Sequence, residues 1–150
     1  MPQADLPTVL RTLRVLWTGF LTSVVVLALV AGLLGSEGDA SLPETAPFLF
    51  AAVAVAAAAL SFVLRRALLI DPMRRGDIDL SKPEGLARFQ SGHVVIWALC
   101  ESVGLLGLVL YFLTGDGAWS GALFAVALAL IWIHAPRAPS PGGEAAELAR

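Results

Sequence analysis

The sequence has one cysteine, Cys100, so an intramolecular disulfide is excluded and cysteine usage is silent on redox compartment. It has two histidines, His93 and His134, and neither lies in a zinc-binding motif such as HExxH. Phosphate-binding loops, GxSxG elbows and CxxC pairs are missing as well, so the chain is not read as an enzyme and no cofactor or metal is expected. Charge is scarce: 15% of residues carry it, against about a quarter in an ordinary soluble domain. The basic residues are interleaved with acids and accompany no nucleic-acid-binding module, which excludes nucleic acid as a partner.

Apolar residues take the place of the missing charge. They make up 57% of the chain, and the mean hydropathy is +0.79. They fall in four blocks, about 15–35, 47–64, 94–114 and 118–135, none of which contains Lys or Arg. Each is close to the ~20 residues that cross a ~30 Å hydrocarbon core. This pattern predicts an all-α fold, an integral membrane four-helix bundle forming one domain over residues 1–135. The Pro- and Gly-rich tail, 136–150, is expected to be disordered. The first block is longer than the ~7–15-residue apolar core of a signal peptide and is read as a span. The lipid bilayer is the expected environment, with the chain multi-pass in the inner (plasma) membrane.

All ten basic residues lie in three segments. Arg11 and Arg14 precede the first block. Arg65, Arg66, Arg74, Arg75, Lys82 and Arg88 lie between the second and third, and Arg137 and Arg150 follow the fourth. The two remaining connections carry Glu37, Asp39, Glu44 and Asp116 and no base. Lys and Arg in short loops mark the cytoplasmic side, so both termini and the middle loop are expected there. Arginines of the middle loop are placed to meet anionic lipid headgroups. Asp71-Pro72 and Lys82-Pro83 read as turns or helix breaks.

Within the blocks, Leu6, Val9, Leu10, Leu13 and Trp17 recur at helical spacing and suggest an interfacial lead-in helix. Trp17, Trp119 and Trp132 sit where aromatic belt residues are expected. The second block is rich in alanine, and Ala52, Ala56 and Ala59 share a face. Small residues let membrane helices approach closely, so this face is expected to be the most tightly packed in the molecule. His93 and His134 open the third block and close the fourth. They are read as interfacial polar anchors, although antiparallel neighbours would bring the two imidazoles together, a geometry in which a metal or bis-histidine haem is conceivable.

One residue resists this reading. Glu101 lies about 12 Å along the third block at 1.5 Å per residue, with no Lys or Arg in that block. A charged acid at such depth costs ~2.5–3.5 kcal/mol or more, and burial favours the neutral form, so a protonated carboxyl is expected. Trp97, Glu101, Gly104, Leu108 and Tyr111 fall on one seam, and Gly104 leaves room for another backbone. Ser102, and Thr22 or Ser23 of the first block, are candidate hydrogen-bond partners. Two readings stay open. In one, Glu101 with Ser102 binds and exchanges an ion, H⁺ or Na⁺. In the other, it is an interhelical clasp in a structural or assembly subunit of a larger membrane complex. Homo-oligomers or other membrane subunits are the expected protein partners.

The residues Ala98-Leu99-Cys100-Glu101 followed by Gly107-Leu108-Val109 resemble the carboxylate-bearing helix of the rotor-ring proteolipid, subunit c of rotary ATP synthases. Lys82-Pro83-Glu84 is similar to the Arg-Gln-Pro-Glu loop that precedes that helix. The resemblance is confined to the central hairpin, roughly residues 82–113. It implies that Glu101 is the ion site. Independently of the resemblance, Gly104 and Gly107 are expected to serve helix packing.

Overall fold

The computed structural model describes residues 5–35, 43 and 45–137. These residues form α1 (Leu6–Leu34), α2 (Ala46–Arg65), a π-helical turn (Arg66–Ile70), α3 (Asp71–Arg75), α4 (Pro83–Thr114) and α5 (Gly117–Ile133). The segments Leu6–Leu34, Ala46–Arg75 and Pro83–Thr114 are each long and apolar enough to cross a membrane. The apolar α5 is shorter, with 17 residues, or ~26 Å at 1.5 Å per residue. Most of the tail expected at 136–150 lies outside the described residues.

Each helix boundary has a local cause. Asp5 caps α1, its carboxylate accepting from the Thr8 N–H at 3.1 Å. The lead-in segment and the first apolar block are therefore one continuous helix. The α4–α5 hairpin turns on two residues: Gly115 takes the left-handed conformation (φ 69°), and the Asp116 carboxylate accepts from the Ala118 and Trp119 N–H groups. So short a turn makes the two helices antiparallel neighbours.

The middle loop departs from expectation at Asp71-Pro72, which does not break the helix. The Asp71 N–H reaches five residues back to the Arg66 carbonyl. This widened π turn accommodates Pro72, which has no N–H and would crowd the carbonyl four residues earlier in a regular α-helix. The helix ends one turn later. Gly76 N–H donates to Met73 O and Asp77 N–H to Pro72 O, a Schellman closure made possible by Gly76 at φ 75°. Lys82-Pro83 behaves as expected, and Pro83 opens α4 well ahead of residue 94.

The centre of the bundle is α4. It packs against α1, α2 and α5, and α5 also touches α1 and α2, whereas α1 and α2 do not pack on each other. Trp97, Cys100, Val103 and Leu110 of α4 are fully buried, together with Leu13 and Val24 of α1 and Ala127 and Ile131 of α5. Close approach of α4 to α1 and α5 is built in at two glycines. A Cβ on Gly104 would stand 3.3 Å from the Val24 side chain, and one on Gly107 would stand 3.1 Å from both Leu123 Cβ and the Ser120 carbonyl.

The expected alanine face is corrected. Ala52, Ala56 and Ala59 are exposed in this chain, and α2 instead buries Ala54 and Ser61, with Ala57 and Ala58 half-buried. Alanines occur all round α2, so side-chain size does not select a face there. The choice falls to the residues that meet α4.

Candidate functional site

The α1–α4 contact sets the geometry around Glu101. Val24 nests against Gly104, and this pulls the preceding residue of α1, Ser23, toward Glu101 one turn earlier on α4. The Ser23 hydroxyl donates to Glu101 Oε1. Glu101 is half-buried and makes no other hydrogen bond or ion pair among the described residues. Its neighbours mark an edge: Cys100 and Val103 are fully buried, whereas Leu105 is exposed. One carboxyl oxygen is thus held between helices, and the group lies at the margin of the buried face.

The other sequence candidates separate. Ser102 does not face the carboxyl, because its hydroxyl donates to the Leu99 carbonyl of its own helix at 2.6 Å. Such bonding back to a carbonyl one turn earlier is a common outcome for a serine within a helix. Thr22 is exposed. The site therefore reduces to Glu101 and Ser23, with Gly104 setting the separation of their helices.

A second polar cluster lies at the end of the bundle where the basic residues gather. His93 and His134 are both buried. His93 Nδ1 is 3.0 Å from the Phe89 carbonyl and His134 Nδ1 is 2.7 Å from the Leu130 carbonyl. A carbonyl only accepts, so each Nδ1 carries a hydrogen. The Trp97 indole N–H donates to the His134 carbonyl at 2.9 Å, and the Trp17 indole N–H donates to the Ile131 carbonyl at 2.8 Å. These two bonds tie α4 and α1 to the end of α5. The His93 ring meets Phe89 edge-on and Trp97 at a tilt, and His134 packs on Phe62. The buried His134 Nε2 has no hydrogen-bond partner among the described residues. The Cys100 thiol lies against the Ser61 hydroxyl, which donates to the Ala58 carbonyl.

This layer corrects the anchor reading of Trp17 and of the histidines, since their polar atoms face the bundle interior. Trp132, 65% exposed, does stand on the outside and packs on Trp17. The antiparallel α4–α5 hairpin was the available signal, because it places His93, Trp97 and His134 at the same level. Among the described residues, no three or more His, Cys, Asp or Glu side chains gather in a way that could hold a metal.

Comparison of the chain with protein-family models, with curated proteins and with solved structures finds no match.

Proposed function

We propose that the chain is a four-span membrane protein of the inner (plasma) membrane, with its termini and middle loop in the cytoplasm, and that Glu101 is a carboxyl that binds and releases H⁺. The membrane assignment draws on three helices long and apolar enough to cross a bilayer. The orientation draws on the confinement of all ten basic residues to one set of segments. The observation that carries the functional reading is the Ser23–Glu101 hydrogen bond at a half-buried carboxyl.

A proton site within an apolar bundle must tolerate both states of the acid. Ser23 allows this. Its hydroxyl can donate to the carbonyl-type oxygen of the neutral acid and to the carboxylate once the proton has left. The second oxygen, toward the margin, is where the proton comes and goes. The resemblance of residues 82–113 to the proteolipid hairpin supports the same assignment. Self-association, or docking onto other membrane subunits, would complete the surroundings of the exposed side of the carboxyl.

The second reading, a structural clasp, draws on the same bond together with the tight Val24–Gly104 contact beside it. The two readings differ in access. A hydrophobic carbodiimide modifies protonated carboxyls in apolar surroundings. An exchanging Glu101 is expected to react, more slowly as the pH is raised, and Glu101→Gln is expected to remove the labelling while leaving the fold intact. Absence of labelling in the wild type, with a silent Gln variant in cells, would leave the clasp.

A further inference from the structure

The structure assigns a lipid site beside the π turn: we infer that the groove between the Arg66–Ile70 turn and α4 holds one phospholipid with an ammonium-bearing headgroup, its phosphate on Arg88 and its ammonium toward Glu84. The groove encloses about 460 Å³, within the ~300–1,000 Å³ of sites that take small ligands. Its wall is hydrocarbon, including Leu68, Pro72, Ile78 and Val95, and Arg88 is the one charged residue that lines it. Arg88 also lines a second recess of about 170 Å³ that contains Asp77, Asp79, Lys82 and Glu84. An apolar channel and a charged recess thus meet at Arg88, matching the order of parts in a phospholipid.

The π turn makes the groove. The widened turn holds Leu69 against Gly92, where a Cβ would stand 2.6 Å from Leu69 Cδ2. Leu68 is left 38% exposed on the groove side. Depth agrees as well. Arg88 lies six residues before residue 94, ~9 Å along the axis, so its long side chain lies in the headgroup layer; Leu68, four residues past residue 64, lies at the border of that layer and Val95 at acyl depth.

Charge selects the headgroup. Three other bases around the loop are engaged: Arg66 with Asp71, Arg75 with Asp77, and Lys82 with Asp79. Arg65 and Arg74 make no ion pair among the described residues, but neither lines the groove or the recess. Arg88 and Glu84 make no ion pair among the described residues, even with each other across one helical turn. Within the recess Asp77 is paired with Arg75 and Asp79 with Lys82, so with a phosphate on Arg88 one unpaired carboxylate remains, that of Glu84. That carboxylate repels a second anionic group, as in a cardiolipin headgroup, and attracts an ammonium.

The site rests on the membrane assignment but not on any role for Glu101. The test is native mass spectrometry of the full chain released from nanodiscs made of equal parts phosphatidylethanolamine, phosphatidylglycerol and cardiolipin. Recovery of the chain in the nanodisc fraction checks membrane insertion separately. The expected result is one retained phosphatidylethanolamine. Arg88→Gln should lower retention of any phospholipid about tenfold, the loss of one charge-assisted hydrogen bond. Glu84→Gln should keep a lipid but lose the preference for ethanolamine. Ala87→Trp, which fills the groove from an exposed position, should displace the lipid with both charges in place. An inserted protein that retains no lipid, or retains the three lipids equally, or retains phosphatidylethanolamine as well in Arg88→Gln as in wild type, would overturn the assignment.

Discussion

Among the described residues, two carboxylates accept a hydrogen bond from a serine hydroxyl, and they do so in opposite surroundings. Asp79 lies in the exposed loop after α3 and is bonded by Ser81, two residues away, through both the hydroxyl at 2.6 Å and the backbone N–H at 3.0 Å. Glu101 lies within an apolar helix and is bonded by Ser23 of another helix. The first pair is local and solvated, so it forms wherever the loop turns and its loss changes little else. The second exists only because two helices meet closely enough to bring residues 78 apart in sequence into contact. A carboxyl–hydroxyl bond is the same chemistry in both places. Its consequence is set by what must already be folded for it to form, and by what replaces it when it breaks.

The sharpest way to break the comparison is at the helix contact. Gly104→Val adds a branched side chain where a bare Cβ already meets Val24 at 3.3 Å and Ala127 at 3.5 Å. Overpacking of this kind costs ~1–3 kcal/mol, and separating the helices also takes Ser23 from Glu101. Gly121→Val is the control, because a Cβ there meets nothing within 4 Å. Thermal unfolding in detergent should place the Gly104 variant well below both wild type and the Gly121 variant. Equal stability of the two variants would mean that the α1–α4 approach is not what holds Ser23 in place.

A smaller effect is expected from the serines themselves. Interhelical polar contacts in membrane bundles are worth ~0.6 kcal/mol on average and at most ~1.7. Ser23→Ala should lower stability by about that amount. Ser81→Ala, at an exposed position, should stay within ~0.5 kcal/mol of wild type. Denaturation of the two variants side by side checks the order. A larger loss at Ser81 would reverse the comparison.

The two pairs also differ in how far the sequence discloses them. Glu101 stands out because an acid in an apolar run is costly, and the hydrophobic blocks place it near α1. The partner was narrowed to Ser102, Thr22 or Ser23 and no further, because helical phase relative to a neighbour is a tertiary fact. The same limit explains α2. Its alanines occur all round the helix, so the face that meets α4 is chosen by Ala54 and Ser61 finding room against α4, not by a size pattern along the helix. The helix ends at Gly35 and Gly115 coincide with the ends of apolar blocks, but Pro83 reads as a break, and the start of α4 there, well ahead of residue 94, is not marked by hydropathy because its first turns carry Glu84 and Arg88. Pro72 was not legible either, because a proline reads as a break unless a π turn widens the backbone around it. The buried tryptophan–histidine layer was hidden by its own composition: Trp and His near block ends look like interfacial anchors until the α4–α5 hairpin places them on the inside.

The smallest predicted effect isolates the solvated pair by pH. The Ser81 hydroxyl, and then its backbone N–H, hold the Asp79 carboxyl below its ordinary value of 3.8, and Lys82 adds to the same direction. A depressed folded-state value means that the loop gains order from ionised Asp79 at all pH above 3.8 and loses it as the pH falls through the lower folded value. Asp79 is exposed, so the loss should be confined to the turn that precedes Pro83. In an NMR titration in detergent, the Ser81 amide resonance should be constant at neutral pH and should move only below the ordinary carboxylate range. Asp79→Asn should abolish that movement. A midpoint at or above the ordinary value would mean that the Ser81 bonds do not favour the carboxylate. The loop could then no longer serve as the solvated reference against which the Ser23–Glu101 pair is measured.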